Sequence, residues 1–427
     1  MPKLVEPCEA TRMTAGDGSM ARAQAEGVAR RSYGKLVAYL AARSGDVAAA
    51  EDALSEAFAA ALADWTAKGC PNNPEAWLLT VARRKLIDAG RRRRTGDLAS
   101  GQLRIAAEEI EAAAEDGGIP DRRLALMFAC ADPRIEPGIR APLMLQAVLG
   151  LDAAAIASVF LVSPAAMGKR LVRAKVAIRE AGIPFAPPGR DELHDRLEAV
   201  LDAVYAAFAE GWTQPLGTDA PRGDLAGEAI FLARLVAALL PDEPEALGLL
   251  ALMLHIEARR PARRNADGDY VPLAEQDATQ WDAHMIDEAE TALRRASARG
   301  AIGRYQLEGA LQSAHVHRCR TGQDNWRDVL QLYDAIFALT NSPVAAVNRA
   351  LAIAELQGAD AGLEAMPEAS PENRLNEYQP YWAALAELLA RNGAMEEASK
   401  AYDIATGLSS DPAIRRFLLK RREALRG

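Results

Sequence analysis

Histidine, cysteine and aromatic residues are all thinly represented in this 427-residue chain, and each shortage excludes a class of function. The five histidines do not cluster. His315 and His317 are two residues apart, a step that points side chains to different faces of a helix, while tetrahedral metal ligation favours three- or four-residue steps. Cys8, Cys70, Cys130 and Cys319 are scattered without paired spacing, so neither a zinc site nor a disulfide framework is expected, and the thiols suit a reducing cytoplasm. Gly16 and Gly18 follow no strand and are too close together for a phosphate-cradling loop, and no serine stands in a nucleophile elbow. No apolar run has the length of a membrane span, and the first residues lack a charged-then-apolar signal pattern, although Met20 is an alternative start to Met1. These absences predict a non-enzymatic protein with no catalytic residue, no metal, no cofactor and no membrane association.

Alanine and leucine dominate, aromatic residues make up only 5%, and alternating runs of β-branched residues are nearly missing. That balance predicts an all-α chain. The net charge of −9 is unevenly distributed: residues 1–190 carry 26 Lys+Arg against 22 Asp+Glu, and residues 191–427 carry 24 against 37. Nucleic acid is therefore expected to meet the first part and not the second.

Residues 1–26 are small and polar and are expected to be a disordered lead-in. From 27 to 96 the apolar steps are helical, with Leu54, Phe58, Ala61 and Trp65 on one helix and Leu79, Ala82, Leu86 and Ala89 on another. Gly69, Pro71 and Pro74 break the two apart. Residues 97–118 are acidic, end in two glycines and are expected to form a linker. A second helical block spans 119–183, closed by a proline-rich hinge over 184–190, and residues 191–427 form a larger helical region.

The second block carries a helix-turn-helix pattern. Asp152 is placed to cap a short helix bearing Ile156, Val159 and Phe160, and Ser163-Pro164 starts the next one. In that second helix Met167, Leu171, Ala174 and Ile178 form an apolar stripe, with Lys169, Arg170, Arg173, Lys175 and Arg179 largely outside it. Small residues at Ala165 and Ala166 permit close approach to base edges, and the cations suit guanines or phosphates. Leu161 stands where such turns often use glycine. An ordinary helical hairpin with a solvated cationic face fits this stretch equally well.

In the first block, Asp52, Ser55 and Glu56 share a polar face opposite Leu54 and Phe58, and the helix after Asn73-Pro74 gathers seven basic residues in its second half. In this order the motifs resemble sigma factors of the extracytoplasmic-function type. Residues 51–94 are similar to that family's region two and residues 119–182 to its region four. The segment Asp267–Trp281 with the helices after it is similar to the subgroup bearing a long tetratricopeptide-like C-terminal extension. The resemblance implies core RNA polymerase and promoter DNA as partners. Asp52, Ser55, Glu56 and Phe58 would dock on polymerase, with Ser55 a departure from the family's usual glutamine. Asn73, Trp77, Arg83, Arg84, Lys85, Arg91 and Arg92 would hold the melted −10 element. Ser163, Ala165, Ala166, Lys169, Arg170 and Arg173 would read the −35 element.

The last region repeats itself. Tyr333 and Tyr402 are 69 residues apart, as are Pro343 and Pro412, and Gly358 and Gly393 are 35 apart. Steps of roughly 34 residues match the tetratricopeptide period. This extension is expected to regulate the promoter-binding part and to offer a surface for a protein or peptide partner. Trp281, Trp326, Tyr378, Tyr381 and Trp382 either line a groove or pack the core. Two other readings remain open on the sequence: a repeat scaffold or sensor, and an operator-binding regulator without polymerase docking.

Overall fold

A computed structural model describes residues 15–94, 121–160, 162–183, 188–213, 225–370 and 375–425. Among these the regular elements are helices, with a single isolated bridge between Arg264 and Tyr270. The chain divides into two units, Met1–Gly211 with Gly217–Leu235, and Trp212–Leu216 with Val236–Gly427. No single helix among the described residues is long and apolar enough to cross a membrane.

The first unit opens with α1 (Ala15–Ser44), α2 (Val47–Lys68) and α3 (Pro74–Arg94). Helix α1 begins twelve residues before the expected start at residue 27, which corrects the disordered lead-in for residues 15–26. Met20, Ala21, Ala23 and Ala25 are good helix formers, and Ala25 is buried. Asp46 caps α2 by accepting from the Ala49 amide at 3.0 Å, and Gly69, at φ 80°, ends it. Leu40, Leu54 and Leu78, one from each helix, have no exposed surface. Burial of such a leucine contributes about 1.5–3 kcal/mol, so this trio is a large part of what closes the three-helix block.

Helices α4 (Arg122–Cys130), α5 (Pro137–Ala147), α6 (Ala153–Val159) and α7 (Pro164–Glu180) follow. The expected linker over 97–118 and residues 184–187 of the hinge lie outside the described residues. This second block packs onto α1. Gly34 lies so close to the turn after α5 that any Cβ there would fall on the Val148 carbonyl oxygen, and the Tyr33 ring lies against Gly150. A glycine in mid-helix ordinarily costs about 1 kcal/mol against alanine, and here it permits the close approach.

Helices α8 (Leu193–Thr213) and α9 (Leu225–Leu239) begin the region expected to be one extension from residue 191. Most of both helices instead belongs to the first unit. Arg196 is buried, donates to the Phe128 carbonyl at 3.2 Å and stands 3.6 Å from Asp132, while Arg123 pairs with Glu228 and lies over Phe231 at 5.3 Å. These cross-links are separated by many residues in sequence, so composition could not locate the boundary.

The second unit runs through α10 (Pro244–Glu257), α11 (Ala283–Ser297), α12 (Arg304–Thr321), α13 (Trp326–Thr340), α14 (Pro343–Gln357) and α15 (Ala359–Ala365). It ends with α16 (Gln379–Arg391), α17 (Met395–Leu408) and α18 (Pro412–Ala424). The repeated residues hold equivalent places. Tyr333 and Tyr402 lie within α13 and α17, and Ser342-Pro343 and Asp411-Pro412 are the capped starts of α14 and α18. Trp281 and Tyr381 are buried in apolar clusters and serve packing. The Asp267–Trp281 segment ties the unit to its own end: Asp269 accepts from Arg416 at 2.8 Å and Lys420 at 2.7 Å.

Candidate nucleic-acid interface

Helix α3 is set up by its first turn. Asn73 accepts from the Ala76 amide at 3.0 Å, and Pro74 takes the first helical position, where its missing N–H costs nothing. Trp77 meets Trp65 of α2 edge-to-face, with centroids 5.6 Å apart, and so fixes the helix against α2. Leu78 and Ala82 are buried, which turns Arg83, Arg84 and Lys85 out to solvent. Arg91 and Arg92 stand in the last turn of the same helix. Arg84 has no carboxylate partner among the described residues, whereas Lys85 pairs with Glu56 at 2.9 Å. That pair joins a residue expected to meet DNA to one expected to meet polymerase.

On α2 the expected polymerase face is open. Asp52, Ser55 and Glu56 are exposed, Phe58 is half-buried at its edge, and Ala50, Ala53, Leu54 and Ala57 form the buried side. Glu51 departs from its acidic neighbours. Its side chain is 10% exposed and pairs with Lys175 of α7, 15% exposed, while its Oε1 has no partner among the described residues. Burial pushes the Glu51 carboxyl above the usual carboxylate range, a rise that the nearby Lys175 ammonium opposes.

Helices α6 and α7, where the helix-turn-helix is expected, are bent 107° from one another. Asp152 caps α6 by accepting from the Ala155 amide at 2.8 Å, and Ser163 caps α7 by accepting from the Ala166 amide at 3.2 Å. Met167, Leu171 and Ile178 are buried along one stripe, with Ala174 half-buried. Ser163, Ala165, Ala166, Lys169 and Arg173 are exposed together on the outer face. Leu161, in the turn, lies outside the described residues.

Two cations depart from the expected outward set. Arg170 is half-buried and donates to the Gly138 carbonyl at 3.0 Å, so part of its hydrogen-bonding capacity is used inside the block. Lys175 is turned inward to Glu51. A helical wheel places both at the stripe's margin, and only the neighbouring helices decide that they face protein. In the second unit His315 and His317 are likewise used locally. Arg318 contacts His315 Nδ1 at 3.1 Å and His317 contacts Gln323 at 3.2 Å. Burial, reinforced by Arg318 and Arg259, lowers the His315 pKa to about 3 and keeps its ring neutral.

Residues 28–95 match the family described as Sigma-70 region 2, the stretch that contains α2, α3 and most of α1. Residues 196–297 match a family of unknown function, DUF6596, which spans parts of both units. The chain is 37% identical over 367 residues to the uncharacterized protein R00370 of Rhizobium meliloti (strain 1021), covering 85% of this chain and 86% of that one. The chain belongs to the family of that protein. Its α1–α3 block is a sigma-70 region 2 domain, which implies interaction with core RNA polymerase and promoter DNA. No solved structure matches the chain.

Proposed function

We propose that the protein is an alternative sigma factor of the extracytoplasmic-function type. It binds core RNA polymerase, directs it to −10 and −35 promoter elements and performs no covalent chemistry itself. The observation that carries this reading is the sigma-70 region 2 match over residues 28–95, followed in the same unit by two capped helices, the second with an exposed basic face.

Under this reading Asp52, Ser55, Glu56 and Phe58 dock on polymerase. Asn73, Trp77, Arg83, Arg84, Lys85, Arg91 and Arg92 track the melted −10 strand, which needs positive charge along the backbone. Ser163, Ala165, Ala166, Lys169 and Arg173 meet the −35 duplex, with Arg170 supporting them from the margin. The second unit is a tetratricopeptide-like regulatory extension. Its helical hairpins and acidic composition favour a protein or peptide partner over DNA. The cytoplasm is the compartment where these partners meet.

Run-off transcription with core polymerase, paired with mapping of the bound promoters, tests the reading. Copurification with core enzyme and specific initiation are expected. Failure to bind core enzyme at low salt would sink it, and binding to duplex DNA without polymerase dependence would favour an operator-binding regulator.

A further inference from the structure

Tyr39, on α1, is surrounded by arginines from three helices. The guanidinium carbons of Arg122, Arg83 and Arg43 stand 4.7, 4.8 and 5.9 Å from the centre of its ring. Arg83 donates to the tyrosine hydroxyl, and Arg43 reaches the same oxygen at 3.5 Å. All three arginines are exposed, and none has a carboxylate partner among the described residues. Asp121, next in sequence to Arg122, is engaged by Arg123 at 3.1 Å.

Three like charges converging on one ring repel one another. The ring's negative face and the hydroxyl oxygen offset part of that repulsion, and among the described residues most of each guanidinium's N–H fork has no other acceptor. Among the described residues no carboxylate is placed against these three guanidinium groups. The ring itself is occupied by guanidinium groups, which argues against base stacking. What the cluster presents outward is a set of planar bidentate donors, the geometry that suits phosphate oxygens.

We infer that Tyr39, Arg43, Arg83 and Arg122 form a clamp for the phosphodiester backbone of DNA. It rests on the DNA-binding reading above and extends it, because Arg43 and Arg122 lie outside both basic helices. Tyr39 acts as a spacer that positions the cations. The clamp draws on α1 and α3 of the region 2 block and on α4 of the following block, so DNA held there ties the two blocks together. Its contacts are to backbone and carry no sequence preference.

The full-length chain and its Arg43→Ala/Arg122→Ala variant are titrated with a labelled DNA oligonucleotide of mixed sequence, single-stranded and duplex, between about 50 and 200 mM salt. The variant is expected to lose affinity for every sequence alike, with the slope of log K against log salt shallower by about two. Arg43→Lys/Arg122→Lys, which retains the charges, is expected to keep most of the slope, and this separates lost charge from a damaged fold. A wild-type slope in the alanine variant overturns the clamp, as does an absence of DNA binding by the wild-type chain at the lowest salt. Run-off transcription judges the sigma reading separately. Specific initiation with an unchanged variant slope rejects the clamp alone, and a shallower slope without initiation supports the clamp while rejecting the sigma reading.

Discussion

In the second unit, several arginines end on carboxylates: Arg264 on Asp411 at 2.7 Å, Arg416 on Asp269 at 2.8 Å and Arg391 on Glu355 at 2.5 Å. In the first, Arg43, Arg84, Arg122, Lys169 and Arg173 have no such partner among the described residues. The first unit carries 29 basic residues against 31 acidic ones and the second 21 against 28, so net charge alone does not separate them and the placement of the acids does. In the second unit these pairs join segments far apart in the chain and neutralise the cations they engage. The first unit leaves these five cations facing outward, where a polyanion can neutralise them. The first unit has pairs of its own, among them Lys85–Glu56 and Arg123–Glu228, and the most buried of its lysine pairs, Glu51–Lys175, is a structural link between α2 and α7.

Four experiments break or sharpen this contrast. The largest effect is expected from Lys175→Met, which leaves Glu51 buried without its cation and should destabilise the first unit by about 3 kcal/mol. Hydrogen exchange of first-unit peptides measures it, and adding Glu51→Met should recover most of the loss. Because burial raises the Glu51 pKa above its unfolded value, stability falls as pH rises from the unfolded carboxylate range through that raised value. Lys175→Met should steepen the fall. An effect no larger than that of a surface pair would reject that link.

Next, Lys169→Ala with Arg173→Ala should weaken promoter complexes by roughly 10- to 100-fold, with Arg170→Ala milder because one of its donors is held by Gly138. A wild-type salt dependence in the double variant would contradict the outward role. Third, Asp132 is held down to about 2 by the Arg134 guanidinium that donates to it, with Arg196 contributing. Its folded pKa lies below the unfolded one, so its contribution is present above about pH 4 and is lost as pH falls toward 2. Asp132→Asn should cost on the order of 1–2 kcal/mol at neutral pH and flatten that acid limb, read by exchange across the pH range. The smallest effect belongs to the second unit. Arg391→Ala cuts a half-exposed pair and should cost under about 1 kcal/mol by thermal unfolding. A larger loss would mean that these pairs hold the unit together more firmly than their exposure allows.

Much of the local structure was legible in the residues. Asp152, Ser163 and Asn73 cap the helices they were expected to start, the Met167–Leu171–Ile178 stripe is buried, and the equal spacing of Tyr333 and Tyr402 reflects equivalent helices. What escaped was settled by partners far away in the chain. Lys175 and Glu51 are 124 positions apart, and Arg83 and Tyr39 are 44 apart. Helical periodicity alone gives a cation at the margin of a stripe no reason to turn inward.

The shortages of histidine, paired cysteine and long apolar runs, together with the position of the basic residues, pointed to an all-α chain with nucleic-acid-binding character in its first part. These are one-dimensional properties, because propensity, capping and periodicity act within a turn or two of the chain. The tertiary structure alone decided that the first unit reaches past residue 191, that Lys175 is a link between helices and that three arginines gather on Tyr39. Each of these depends on which helices pack together, and burial and charge pairing act across that packing irrespective of distance along the sequence.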